Sequence, residues 1–142
     1  MKVYSTAFEE NKPIPETYTS DGHDVNPPLV IEDVPEDTQS LVLIVDDPDA
    51  PKKTWLHWLV YDIAKTSQIK EDTVPGTQGI NDFKQLEYGG PAPPSGTHRY
   101  FFHLYALDSE TGLDQGATRE EVEKAMKGHV LEKAEVMGVY SK

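Results

Sequence analysis

Apolar residues along this chain come in short runs separated by polar, Gly and Pro residues, a pattern of strands joined by turns. The strongest run is Ser40–Val45 (SLVLIV), apolar at successive positions and rich in Leu and β-branched residues. It predicts a strand buried on both faces at the centre of a sheet. A second strand is expected over Trp55–Ile63 (WLHWLVYDI). Strict alternation there puts Trp55, His57, Leu59, Tyr61 and Ile63 on one face and Leu56, Trp58 and Val60 on the other. A third is expected over Arg99–Leu107 (RYFFHLYAL), with weaker strands at Val3–Thr6, Leu29–Ile31 and Val130–Tyr140. One helix is signalled: Thr118 and Glu121 form a capping box, Val122, Ala125 and Met126 make one apolar stripe, and Gly128 supplies the stop.

Strands with one short late helix predict a mostly β domain, an antiparallel sandwich with Greek-key character. The 142 residues suit a single domain over 1–142. Alternating β-α units are not visible, which argues against a doubly wound nucleotide-binding fold. Thirteen Lys and Arg against 25 Asp and Glu give a net charge of −12, which argues against nucleic acid or an anionic membrane as partner. The acidity is local, because residues 13–51 hold ten acids and no Lys or Arg. The absence of cysteine removes disulfides and thiolate chemistry. The start, MKVYSTAFEE, has no apolar leader core and no apolar run approaches a membrane span, so a cytoplasmic protein without membrane insertion is expected.

Three segments set polar, Gly and Pro residues beside strong strands. Asp46-Asp47-Pro48-Asp49-Ala50-Pro51 follows the central strand, and its prolines stiffen the turn that carries Asp47 and Asp49. An ordinary Asp-Pro turn reads equally well. His57 lies mid-strand among apolar neighbours and needs partners for its ring nitrogens, as a core histidine or as a ligand-binding one. Tyr88–Tyr100 (YGGPAPPSGTHRY) is either a rigid entry into a core strand or a binding loop. In the second case the Gly89 and Gly90 N–H groups could form an anion nest, and His98 and Tyr100 share a strand face.

Together, Asp47, His57, His98 and Tyr100 would make a small polar cup suited to a phosphate monoester or similar anion. It lacks an evident nucleophile, since Ser95 sits in no G-x-S-x-G elbow, so an enzyme is not expected. Asp47, Asp49, His57 and His98 could in principle ligate zinc, but no H-x-x-x-H spacing supports a metal, and no cofactor is expected. His23, His103 and His129 read as structural or solvated.

At these residues the chain resembles the phosphatidylethanolamine-binding protein family, in its prokaryotic YbhB/YbcL, Raf kinase inhibitor-like branch. The resemblance runs through YTSDGHDVNPPL, LVLIVDDPDAP, HWLVYDI, GINDF, YGGPAPPSGTHRYFFHLYALD and GHVLEKAEVMGVY. It departs from the family pattern at Ile31 and Lys84, and the long C-terminal helix of animal members is not apparent. The resemblance implies a β sandwich with one or two short peripheral helices. It also implies a shallow anion pocket of Asp47, His57, Gly89, Gly90, Pro91, His98 and Tyr100, with Asp49 and Pro51 at the rim. A small anionic ligand, a kinase or protease, and a second copy of the chain are the partners it admits, with Trp55, Trp58 or Tyr140 on a homodimer face. Serine protease inhibition through the surface segment Glu71–Asn81 is the alternative activity.

Overall fold

The computed structural model describes residues 1–142. Its strands are β1 (Lys2–Tyr4), β2 (Leu29–Glu32), β3 (Ser40–Asp47), β4 (Trp55–Ile63), β5 (Gln68–Ile69), β6 (Thr77–Gln78), β7 (Thr97–Leu107) and β8 (Val130–Ser141). A single helix, α1 (Arg119–Met126), precedes β8, and one 3₁₀ turn covers Glu16–Tyr18. No helix is long and apolar enough to cross a membrane.

The expected β3 is central: every residue in it is buried, and β4 and β7 pair with its two edges. The larger sheet runs β6-β4-β3-β7-β8 and the smaller β1-β2-β5, with all strand pairs antiparallel. Within the larger sheet β3, β4 and β6 follow one another, and β7 returns beside β3, which is the Greek-key order. Leu41, Leu43, Val45, Trp58, Val60, Phe102 and Leu104 form one core with Val3, Leu29, Ile31 and Ile69 of the small sheet. The opposite face, with Val42, Ile44, Leu56, Leu59 and Tyr61, is covered by Val122 and Met126 of α1.

The helix starts as its sequence requires. The Glu121 N–H donates to the Thr118 hydroxyl at 3.1 Å, and the Thr118 N–H to the Glu121 carboxylate at 3.0 Å, so two free donors of the first turn are satisfied. Past its end Gly128 has φ 83°, the left-handed conformation that glycine tolerates best.

Four expectations need correction. The first strand spans Lys2–Tyr4, not Val3–Thr6, because the Ser5 hydroxyl donates to Pro28 O at 2.7 Å and accepts from Ala7 N–H at 3.1 Å, which turns the chain. Strict alternation along β4 fails, because the strand slips against β3 at two places. Leu56 therefore joins Leu59 and Tyr61, while Ile63 joins Trp58 and Val60. Trp58, at 2% exposure, is core and cannot contribute to a homodimer face. Finally, the segment 71–81 is not a free loop throughout. Gln78 and Thr77 pair with Val60 and Tyr61, Trp58 Nε1–H donates to Gln78 Oε1 at 2.7 Å, and Gly79 N–H donates to Leu59 O at 2.9 Å.

The fully buried Leu43 sits mid-strand in the core between the two sheets. Leu43→Ala should lower the unfolding free energy by about 2–5 kcal/mol through lost burial and the cavity left behind, read by urea denaturation.

Candidate functional site

The site lies where β3, β4 and β7 end beside the loop 81–94. Asp47 is the last residue of β3 and faces the core between the sheets, as do Val45 and Leu43 two and four positions earlier. Asp49 N–H donates to Asp47 Oδ1 at 2.7 Å, closing the Asx turn that the Asp-Pro-Asp sequence favours. The other oxygen, Oδ2, lies 2.6 Å from His98 Nδ1. Both side chains are nearly enclosed, so this contact fixes the imidazole with Nδ1–H toward the carboxylate and Nε2 outward.

Asp49 itself is held by β7. Its carboxylate accepts from the Arg99 backbone N–H, Nε and Nη2, each at 2.9 Å. This bidentate clamp pulls the Asp49 pKa below its ordinary value. It also turns the Asp49 side chain away from the pocket, leaving Asp49 as a brace for Asp47.

His57 reaches the same pocket because of a slip in the β3–β4 ladder. Val45 is opposite Trp58 and Asp46 is opposite Leu56, so His57 is the extra residue of a bulge. Without the bulge His57 would share the face of Leu59, under α1. With it, the ring lies edge-on to Tyr100 at 5.3 Å. His57 Nδ1 is 2.7 Å from Gly89 O, a contact that requires Nδ1–H and leaves Nε2 as a lone pair. Burial lowers the His57 pKa from its usual 6.5, and the Gly89 carbonyl and the Asp47 charge only partly oppose it. His57 is therefore neutral near pH 7.

Asp47, His57, His98 and Tyr100 line a cavity of about 210 Å³ with Ala50, Pro51, Trp55, Phe83, Ala92 and Pro94. Tyr100 is 1% exposed, and its hydroxyl has no hydrogen-bond partner in the chain. Burial, and then the neighbouring Asp47 charge, push its pKa well up, so it remains a protonated donor.

The Gly-Pro loop behaves differently from expectation. Gly89 N–H donates to His57 O at 3.0 Å and Gly90 N–H to Asp24 Oδ1 at 2.7 Å, so neither is left for an anion nest. Both glycines serve close packing instead. A Cβ on Gly89 would lie 2.6 Å from the Phe83 ring, and one on Gly90 would press on the Tyr18 carbonyl. Pro91 accepts from Ser20 through its carbonyl. Gly89 and Gly90 line a neighbouring, larger cavity of about 370 Å³ that shares Phe83 and Ala92 with the first.

One organising residue escapes single-residue reading. Asn81 is 3% exposed; its amide donates to His57 O at 3.2 Å and Glu87 O at 2.7 Å, and its carbonyl accepts from Phe83 and Gln85 N–H. It thereby holds the loop that supplies the His57 partner and the Phe83 wall. Its only sequence signal is a buried-type Asn inside GINDF, which is not distinctive. The remaining histidines lie elsewhere. His103 pairs with Asp46 at 3.0 Å on the α1 face, His129 pairs with Asp108 at 2.7 Å, and His23 borders the larger cavity.

Residues 4–141 match the family model described as phosphatidylethanolamine-binding protein. A UPF0098 protein of Methanothermobacter thermautotrophicus is 47% identical over 99% of this chain and 98% of its own length. Another from Aquifex aeolicus is 49% identical over 100% of this chain and 89% of its own. Among solved structures, a PEBP homologue from Chlamydia trachomatis has a TM-score of 0.96 at 40% identity, covering 99% of this chain and 97% of that one. Escherichia coli YbcL, described as a member of the mammalian PEBP family, has a TM-score of 0.91 at 28% identity, with 99% and 98% covered.

The lowered His57 pKa has a definite sign in stability. As pH falls, the unfolded chain takes up this proton near pH 6.5 while the folded chain does not until lower pH, so stability drops from about 6.5 downward and levels off below the folded pKa. The difference in unfolding free energy between the chain and His57→Gln, followed by urea melts from about pH 7.5 to 5, isolates this share. A ring titration by NMR should give a midpoint below 6.5; a midpoint at or above it would mean that burial does not control this residue.

Proposed function

The chain belongs to the phosphatidylethanolamine-binding protein family, and on that premise we propose that it binds a small anion, of phosphoryl type, as a regulatory binding module and not as an enzyme. The observation that carries this reading is the Tyr100 hydroxyl, buried without a partner at the wall of the 210 Å³ cavity. A buried hydroxyl left unsatisfied costs about 1–3 kcal/mol, and a ligand oxygen in the cavity would recover that bond. The two imidazoles support the same reading. Each is tethered through Nδ1, to Asp47 or to Gly89 O, and neither Nε2 has a partner in the chain. The ligand-facing atoms are thus held in place before a ligand arrives, which reduces the ordering cost of binding.

Serine protease inhibition through residues 71–81 is the weaker reading. It draws on Val74, 65% exposed, but the half of the segment beyond Gly76 is bonded to β4. If this activity exists, chymotrypsin or elastase inhibition should survive His57→Ala, because the pocket takes no part in it.

Adding inorganic phosphate at millimolar concentration should shift the His57 and His98 ring signals in NMR spectra. Tyr100→Phe should weaken binding about tenfold, the share of one hydrogen bond to a charged group. Ring signals that stay put up to tens of millimolar phosphate would sink the binding reading. Turnover of a phosphate or acyl ester that vanishes in His98→Ala would replace it with catalysis.

A further inference from the structure

We infer that Phe83 sets the size of ligand the pocket accepts. Its ring is the movable partition between the 210 Å³ cavity and its 370 Å³ neighbour, and in place it confines the site to compact anions. The inference rests on the binding reading above and adds the residue that determines specificity there.

The two cavities share two lining residues, Phe83 and Ala92. Ala92 has no side-chain rotamer to change, so Phe83 alone can alter the partition. His57 lines the smaller cavity and Gly89 the larger, and the 2.7 Å contact between His57 Nδ1 and Gly89 O ties them together. Phe83 packs on both. Its ring lies edge-on to His57 at 5.3 Å, and a Cβ on Gly89 would fall 2.6 Å from it. Trp55, at the smaller cavity, meets the same ring at 5.6 Å. The ring therefore sits where the two cavities adjoin.

The volumes show what the partition decides. Sites for small organic ligands usually measure about 300–1,000 Å³. At 210 Å³ the smaller cavity falls below that range, and joined to its neighbour it would fall within it. A substituent directed from the anion toward Gly89 meets the Phe83 ring first, and such a clash discriminates against larger ligands.

The ring can move without the loop. Phe83 N–H donates to Asn81 Oδ1 at 2.9 Å, and Lys84 N–H donates to Asn81 O at 3.0 Å with Lys84 at φ 64°. These bonds pin the backbone that carries the ring. The side chain has no such tie and is 38% exposed, so a change of rotamer swings it toward solvent. Its edge-on contacts with Trp55 and His57 favour the closed position.

Methylphosphonate and phenylphosphonate carry the same headgroup and differ in the bulk attached to it. Calorimetric titration of the whole chain near pH 7 should show methylphosphonate binding at least about tenfold more tightly. Phe83→Ala should reduce that preference by at least about tenfold, with Phe83→Leu between the two. A purely structural role for Phe83 would weaken both ligands alike and leave their ratio unchanged. The ring signals of His23, which lines the larger cavity only, give a second readout by NMR. Phenylphosphonate should shift them in Phe83→Ala and not in the native chain. Equal affinities in the native chain, a preference that persists in Phe83→Ala, or His23 signals that stay put in that variant would overturn the partition while leaving the binding reading intact. If neither phosphonate nor inorganic phosphate binds the native chain, the binding reading fails and the partition with it.

Discussion

The pocket exists because β3 and β4 go out of step at one point. From Leu43 and Val60 to Val45 and Trp58 the two strands are paired one to one, and at Asp46 and Leu56 one residue of β4 has been skipped. That slip puts His57 and Trp58 on the same side of the sheet, His57 against Tyr100 and Trp58 in the core between the sheets. A regular ladder would have sent His57 under α1, and Asp47 and His98 would face a cavity with one imidazole. The slip is stabilised from outside the ladder. The His57 carbonyl, freed from regular pairing, accepts from Gly89 N–H and from the Asn81 amide, and the Leu56 N–H donates to Asp82. The loop 81–90 therefore does two jobs at once, satisfying the bulged backbone and supplying the carbonyl that orients the ring.

The same feature marks what the sequence could and could not reveal. Long runs of strong character were legible: β4 spans the expected residues, and β3, β7 and β8 differ from expectation by one or two. The capping box located α1 because its chemistry is local. Side-chain facing was legible only where the ladder stays regular, as along β7, where His98, Tyr100, Phe102 and Leu104 share a face. A bulge has no consistent signature in a single strand, since it is a property of the pair. The two-residue strands β5 and β6 are too short to show any period. Gly89 and Gly90 were recognised as special, but the reason lay in tertiary contact. Phe83 and the Tyr18 carbonyl occupy the space a side chain would need, and Asp24, distant in sequence, takes the Gly90 N–H.

The end of β3 also shows how a strongly acidic chain builds such a site. Adjacent carboxylates project to opposite faces: Asp46 binds Arg119 and His103 and ties α1 to the sheet, whereas Asp47 binds His98 and the Asp49 N–H. Both counter-ions of Asp46 depress its pKa despite burial, so its charge is locked into the fold. With 13 basic residues for 25 acids, the cations nearest the pocket are consumed by such pairs. A pocket with a permanent guanidinium would hold an anion at any pH and release it slowly. This pocket has no guanidinium or ammonium group in its wall, so the Tyr100 hydroxyl and the two tethered imidazoles are the polar side chains that join Asp47 there. That lining follows from the same ion pairs that hold the end of the sheet together, because Arg99 is spent on Asp49 and Arg119 on Asp46.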